Sequence, residues 1–234
     1  MRSPDSLRRS DDTDRPTRPT HRPRGRIPVG SRGFIVFDDR LRTAKDTLLR
    51  PFVRSALVAR LSPSTVTVAG LLVGLGAAGA AAGAYWIIAT VLWLVNRLLD
   101  GLDGALARAT DRRTDSGGYV DIVADFVVYA AVPIGIAVGL AGALAWASVA
   151  VYLGACYVNA ASWMYLSAVI EKRGAAGGAA TSVVMPRGIV EGFETILAYV
   201  VALLFPYYSP HVFFGLGALV LLTAVRRVVW WLRR

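Results

Sequence analysis

The residues best suited to chemistry are four aspartates in the segment DGLDGALARATDRRTDSGGYVDIVAD, which begins at position 100. Asp100 and Asp103 are three residues apart, and Asp121 and Asp125 are four apart, so on helices each pair shares one face. Long apolar segments flank all four. Because one Asp at the centre of a membrane helix costs about 2.5 to 3.5 kcal/mol on insertion scales, the group needs compensation. We expect a bound divalent cation to provide it.

Clustered carboxylates without His or Cys partners favour hard cations, with Mg²⁺ or Mn²⁺ ahead of Zn²⁺. Such ions usually accompany phosphate groups. Two ions between the Asp pairs could clamp a pyrophosphate, neutralise charge on a departing nucleotide and bind an attacking hydroxyl. One Asp could then accept the proton of that hydroxyl. The alternative is that these aspartates are solvated charges on a loop between two membrane spans.

The composition is that of a membrane protein. Of the 234 residues 55% are hydrophobic, and the mean hydropathy is +0.49. The net charge is +10, but the basic residues cluster in the first sixty positions and at the ends of apolar segments. Anionic lipid headgroups are therefore the expected partner, rather than nucleic acid. The single cysteine, Cys156, lies within an apolar segment and is expected to be a small packing residue.

The chain is expected to be an all-α membrane protein. We predict a disordered basic tail at 1–33, a juxtamembrane amphipathic helix in the interface at 37–60, and a six-helix transmembrane domain at 63–234. Ser62 and Pro63 are typical of a helix start. The apolar stretch from Thr65 to Leu99 is too long for one span of about 20 residues and is divided near Gly83 to Tyr85. The other four spans are predicted at 117–139, 143–169, 187–205 and 210–229.

Charge predicts the orientation of these spans. The connections near Gly83, near Ala141 and between Pro206 and Pro210 contain no Lys or Arg. The opposite ends carry the basic residues, Arg97 among them. By the positive-inside rule, both termini and the Asp cluster face the cytoplasm of a cell whose inner membrane holds the protein.

The pattern Asp100, Asp103, Gly104, Ala107, Arg108, Gly117, Asp121 and Asp125 resembles the signature of the CDP-alcohol phosphatidyltransferase family. All eight positions match without an insertion. The resemblance implies a metal-dependent transferase of phospholipid biosynthesis that moves a phosphatidyl-type group from a CDP-diacylglycerol-like lipid to an alcohol and releases CMP. It also implies a homodimer.

The resemblance further implies roles for single residues. Asp100, Asp103, Asp121 and Asp125 would be the metal ligands, and Asp125 would also be the general base. Gly104, Ala107, Arg108 and Gly117 would surround the CDP moiety, with the guanidinium of Arg108 on the pyrophosphate. One departure from the family pattern is Pro63-Ser64-Thr65, where many members have Pro-Asn, and this weakens any nucleotide contact at Ser64.

The residues that bind the acceptor alcohol are the part of the site that the sequence determines least. Arg187, Glu191 and Glu194 lie on one helical side at the start of the fifth span, which predicts an acceptor pocket with Arg187 on an anionic group. The alternative is an internal ion pair between Arg187 and Glu191, with Glu194 near water. Asn159 and Ser162 are expected to hydrogen-bond a neighbouring helix. Glycerol 3-phosphate, an inositol phosphate and serine are not ranked as acceptors. A divalent-cation transporter and an inactive scaffold are the rival functions.

Overall fold

Six α-helices in series form the part of the chain that the computed structural model describes, residues 62–177, 188–190 and 192–233. They are α1 (Pro63–Ala82), α2 (Trp86–Ala109), α3 (Asp115–Leu140), α4 (Ala143–Gly177), α5 (Gly192–Leu204) and α6 (Ser209–Leu232), with a 3-10 turn at Pro206–Tyr208 before α6. The described residues contain no β-strand, so the all-α prediction is confirmed. The predicted tail at 1–33 and amphipathic helix at 37–60 lie outside the described residues and stay predictions.

Local sequence signals set the helix ends. The Ser62 side chain accepts a hydrogen bond from the Thr65 amide at 3.1 Å, and Pro63 occupies the first turn, so the predicted start of α1 is confirmed. The predicted break after α1 is also present, with Ala84 in the left-handed region at φ 60°. Thr114 caps α3 in the same way as Ser62 caps α1.

Four segments are long and apolar enough to cross a membrane, namely Pro63–Ala82, Asp115–Leu140, Ala143–Arg173 and Pro206–Leu232. This confirms a membrane-spanning protein. The 24-residue helix α2 is apolar only in its first half, because its second half carries the acidic site. The 13 described residues of α5 span about 20 Å, which is less than the bilayer core of about 30 Å. The count of six spans therefore stays a prediction.

Helix α1 packs closely on α2 and α3 through small residues. A Cβ atom added at Gly74 would lie 2.5 Å from Val128 Cγ2 and 2.9 Å from Asn96 Nδ2, so no side chain fits there. Gly79, by contrast, faces open space within 4 Å. The glycine-rich run of α1 therefore forms close-packed helix surface at Gly74 but not at Gly79.

An aromatic cluster ties the later helices to α2 and α3. It contains Trp93, Tyr129, Tyr152, Tyr199 and Phe213, one from each helix from α2 to α6. The rings of Trp93 and Tyr199 stack with centroids 4.7 Å apart, and the Tyr199 hydroxyl donates to the backbone carbonyl of Tyr129 at 2.6 Å. The cluster fixes α5 against the two helices that carry the aspartates.

Candidate active site

A recess of about 230 Å³ lies where α1, α2 and α3 meet, at the end of α2 and the beginning of α3. All four predicted aspartates line it, together with Thr67 from α1 and Asn96 from α2. Asp100 and Asp103 lie on α2, and Asp121 and Asp125 lie on α3. Each pair therefore shares a helix face, as the spacing predicts.

Three of the carboxylates converge on one point. Asp100, Asp103 and Asp121 each offer one oxygen, and these oxygens lie within 4.8 Å of one another. Three anions so close repel each other strongly unless a cation lies between them. The donor set contains carboxylate oxygens and neither imidazole nor thiolate, which is the ligand chemistry of a hard divalent cation. The geometry of the residues fits the predicted class of metal site.

Asp103 is held from α1. Its side chain is 4% exposed, and its Oδ2 accepts a hydrogen bond from Thr67 Oγ1 at 2.8 Å. A hydrogen bond to a charged group inside a protein is worth more than one between neutral groups, so Thr67 stabilises the ionised carboxylate and fixes its orientation. Thr67 has no signal in the sequence, because nothing there relates a residue of α1 to one 36 positions later.

Asp125 is placed differently from the other three aspartates. It lines the same recess, but its Oδ1 accepts a hydrogen bond from Arg97 Nη2 at 2.9 Å. The Arg97 side chain is 6% exposed and that of Asp125 is 33% exposed. Asp125 is therefore half-buried: it pairs with the buried Arg97 on one side and reaches the recess on the other.

Arg97 is itself held by its surroundings. Asn96 Oδ1 accepts hydrogen bonds from its Nε at 2.8 Å and its Nη2 at 2.6 Å, and the rings of Trp93 and Tyr129 lie 4.8 and 4.6 Å from the guanidinium carbon. From the sequence, Arg97 is predicted only to mark the cytoplasmic side. The signal for a site role was its position three residues before Asp100 on the same helix.

The predicted CDP residues lie at the adjoining ends of α2 and α3. Gly104, Ala107 and Gly117 are half-buried, and Arg108 is exposed. A Cβ atom at Gly104 would lie 3.3 Å from Arg108 Nη1, so the guanidinium passes over the bare backbone of Gly104. The Gly117 amide donates to the capping Thr114 Oγ1 at 3.0 Å. Gly117 lies one turn before Asp121, and Ala107 one turn after Asp103.

The predicted acceptor residues are only partly within the described chain. Arg187 and Glu191 lie outside it, and Glu194 is exposed in the first turn of α5. The segment before α5 is anchored to α6, because the Ile189 amide donates to Thr223 Oγ1 at 3.0 Å. The acceptor pocket predicted on Arg187, Glu191 and Glu194 stays a prediction.

Arg227 is a second buried arginine. Its side chain on α6 is 6% exposed, and its Nη1 donates to Asn159 Oδ1 at 3.0 Å and Ser162 Oγ at 3.2 Å on α4. Its buried Nε has no partner among the described residues. The prediction that Asn159 and Ser162 hydrogen-bond a neighbouring helix is confirmed. The sequence does not distinguish Arg227 from the adjacent Arg226, so the burial of Arg227 is visible only in the structure.

Together the helices and the acidic recess define an all-helical membrane protein with an oxygen-lined site for a divalent cation. The chain belongs to the CDP-alcohol phosphatidyltransferase family, whose model matches residues 60–231. The predicted function is confirmed at this level: the protein is a membrane transferase of phospholipid biosynthesis.

Similar proteins support the same class. The inner membrane protein YnjF of Escherichia coli K12 is 37% identical over 187 residues, which cover 77% of this chain and 88% of YnjF. The archaetidylinositol phosphate synthase of Pyrococcus horikoshii is 36% identical over 86 residues, 37% of this chain and 45% of that enzyme.

Solved structures of a Mycobacterium tuberculosis protein share the fold. The phosphatidylinositol phosphate synthase PgsA1 with CDP-DAG bound superposes with a TM-score of 0.59 at 21% identity, covering 76% of this chain and 90% of that one. The same protein in complex with manganese and citrate gives a TM-score of 0.57 at 21% identity, with coverage of 76% and 86%.

Proposed function

We propose that this protein transfers a phosphatidyl group from a CDP-diacylglycerol-like lipid to a small anionic alcohol and releases CMP. The convergence of Asp100, Asp103 and Asp121 within 4.8 Å, in a chain of this family, is the observation that carries the proposal. The CDP-DAG in the similar PgsA1 structure supports the choice of donor. The positive-inside distribution of Arg and Lys supports an active site on the cytoplasmic side of the inner membrane.

The four aspartates Asp100, Asp103, Asp121 and Asp125 are proposed to hold two divalent ions, Mg²⁺ or Mn²⁺. The manganese in the second PgsA1 structure supports a divalent ion of this kind. When bound, such ions would neutralise the pyrophosphate and the charge that develops on the departing CMP. Thr67 and the burial of Asp103 keep one ligand oriented without help from solvent.

Asp125 is proposed to accept the proton of the acceptor hydroxyl. Its Oδ1 is engaged by Arg97, which leaves the other carboxylate oxygen for that proton. The hydroxyl oxygen then forms a bond to the lipid-linked phosphorus. The bond from this phosphorus to the bridging pyrophosphate oxygen breaks, and CMP leaves with the electron pair.

The CDP moiety is proposed to lie along Gly104, Ala107 and Gly117. The missing or small side chains at these positions leave backbone accessible next to the aspartates. Arg108 passes over Gly104 and is proposed to contact the pyrophosphate, because a guanidinium can bind two phosphate oxygens at once.

Two arginines support an anionic acceptor. Arg187, with Glu191 and Glu194, is predicted to form part of the acceptor pocket, and the competing interpretation is an ion pair of Arg187 with Glu191. Arg227 adds a structural argument, since it is a buried cation whose hydrogen-bond partners Asn159 and Ser162 are neutral. Its Nη1 bonds both residues, but its buried Nε has no partner among the described residues, so an anionic acceptor would complete its compensation. The family resemblance also supports a homodimer.

The experiment is an acceptor panel. The purified protein, Mn²⁺ and CDP-diacylglycerol are mixed with glycerol 3-phosphate or glycerol, with an inositol phosphate or inositol, and with serine, and CMP is measured. We expect CMP with an anionic acceptor and much less with its neutral counterpart. If no acceptor in the panel leads to release of CMP, the proposed acceptor class is refuted. If the anionic and neutral members of each pair react at equal rates, the proposed role of Arg187 and Arg227 is refuted.

A further inference from the structure

We propose that Arg97 is a positioning residue that holds the Asp125 carboxylate in its reactive orientation. The inference rests on the proposed function, in which Asp125 accepts the proton of the acceptor alcohol. It concerns a residue outside the aspartate motif, and it follows from a chain of contacts through α1, α2 and α3.

The first contact is between the two residues themselves. Arg97 Nη2 donates to Asp125 Oδ1 at 2.9 Å, a charge-assisted hydrogen bond between α2 and α3. Because only one carboxylate oxygen is engaged, the bond restricts the rotation of the carboxylate and keeps its second oxygen available. A proton acceptor needs this kind of restraint, since it must meet the hydroxyl within hydrogen-bond distance.

The second set of contacts makes Arg97 a rigid donor. Asn96 Oδ1 accepts from both Nε and Nη2, and the faces of Trp93 and Tyr129 enclose the guanidinium. A long side chain usually loses much rotamer entropy when one hydrogen bond fixes it. Here four groups on α2 and α3 fix the guanidinium together, so its position is set before substrate binds.

The third contact extends the network to α1. Asn96 Nδ2 donates to the Gly70 carbonyl at 2.7 Å, and α1 also carries Thr67, which holds Asp103. Helix α1 therefore contacts both Asp103, through Thr67, and Asn96, through the Gly70 carbonyl. Through them, the distance between Asp125 and the three converging carboxylates is set by the packing of three helices.

A purely structural role explains these contacts less well. Buried ion pairs usually add little stability, and their replacement by apolar residues is often neutral or stabilising. The ion pair of Arg97 with Asp125 is therefore weak evidence for a role in stability alone. A reactive carboxylate, in contrast, gains a fixed orientation.

The test uses Arg97→Gln and Arg97→Lys in the full chain, with kcat and both KM values measured from CMP release. We expect Arg97→Gln to lower kcat about 100-fold, since a misplacement of about 1 Å costs that much, with KM values changed less than about threefold. Arg97→Lys keeps the positive charge but lacks the planar guanidinium group, so we expect an intermediate kcat. The matched control is Tyr199→Phe, which removes a hydroxyl from the same aromatic cluster without touching the Arg97 to Asp125 bond.

Asn96→Leu tests the network if the Arg97 variants do not fold. It removes the acceptor that orients Arg97, and we expect kcat to fall about tenfold. Where Arg97→Lys does fold, the loss of kcat in the double variant Asn96→Leu with Arg97→Lys should be smaller than the product of the single losses, because both act through Asp125.

A crystal structure of Arg97→Gln gives a readout that does not depend on turnover. We expect the Asp125 carboxylate to have moved while Asp100, Asp103 and Asp121 stay in place. An unmoved Asp125, or an Arg97→Gln variant with wild-type kcat, overturns the positioning role. A wild-type protein that releases no CMP contradicts the proposed function instead, so the two failures are distinct.

Discussion

Asp121→Asn should stabilise the protein without metal and weaken its response to metal. Asp100, Asp103 and Asp121 form a trio whose carboxylate oxygens lie within 4.8 Å of one another. Asp121 is the only member of this trio on α3. At pH 8, where carboxylates are ionised, this aspartate repels both Asp100 and Asp103. An amide has nearly the same shape but no charge, so the substitution removes two repulsive pairs and one metal ligand.

The distance between the oxygens sets the size of the effect. Two unit charges 4.8 Å apart repel by about 3.5 kcal/mol at an effective dielectric constant of about 20, and by about 0.9 kcal/mol in bulk water. Two pairs therefore give between about 2 and 7 kcal/mol. Asp121 is half-buried at an open recess, so we expect the lower end. For a chain of this size, about 2 kcal/mol corresponds to a rise in Tm of about 4 °C.

The assay is thermal unfolding in detergent, with EDTA or with saturating Mn²⁺. Wild-type protein should gain about 2.7 kcal/mol when the metal is at 100 times its Kd, and Asp121→Asn should gain far less. Asp115→Asn is the matched control, since Asp115 is exposed in the first turn of the same helix and lies outside the trio. It should lower Tm slightly, because an acidic residue favours a helix N-terminus.

Two results would refute this reasoning. If Asp121→Asn has an unchanged or lower Tm in EDTA, the carboxylates do not repel each other as the geometry requires. If it keeps the full Mn²⁺ response, the trio is not the metal site, and the proposed chemistry loses its basis.

Three further predictions test the base, the acceptor site and the packing. Asp125→Asn should lower kcat by about 10²- to 10⁴-fold in the CMP assay, because it removes the general base. The Kd for CDP, measured by calorimetry, should change little. An unchanged kcat would contradict the assignment of Asp125 as the base. Arg227→Ala should raise the KM for the anionic acceptor about 10- to 100-fold and leave the KM for the donor unchanged, since it removes a charged hydrogen-bond donor. An equal rise in the KM for a neutral acceptor would count against an anion site. Gly74→Ala should lower the free energy of unfolding by about 1 to 3 kcal/mol in thermal unfolding, because the added Cβ meets Val128. The control Gly79→Ala, with nothing within 4 Å, should be neutral or stabilising. Equal losses in the two variants would mean that close packing is not the cause.

Prediction from the sequence worked where the signal is local. The start of α1, the break before α2 and the shared helix faces of the aspartates follow from residues a few positions apart, and the structure has them all. The sequence predicts an apolar stretch to Leu99 and a helix through Asp100 and Asp103, and the structure has both in one helix that continues to Ala109.

Prediction was incomplete where a role depends on distant residues. Thr67 contacts Asp103 and Arg227 contacts Asn159, yet each partner lies on another helix. A hydroxyl in an apolar helix and an arginine near a helix end are common, so neither has a sequence signal of its own. The predicted acceptor residues Arg187 and Glu191 lie outside the described chain, and their pocket stays a prediction.

The sequence by itself determined the class of protein, since hydropathy, charge distribution and the spacing of eight residues are properties of the linear chain. Only the tertiary structure decided that Asp100, Asp103 and Asp121 converge while Asp125 pairs with Arg97. The physical reason is that helix spacing places side chains on a face, whereas the packing of α1 against α2 and α3 sets the distances between faces.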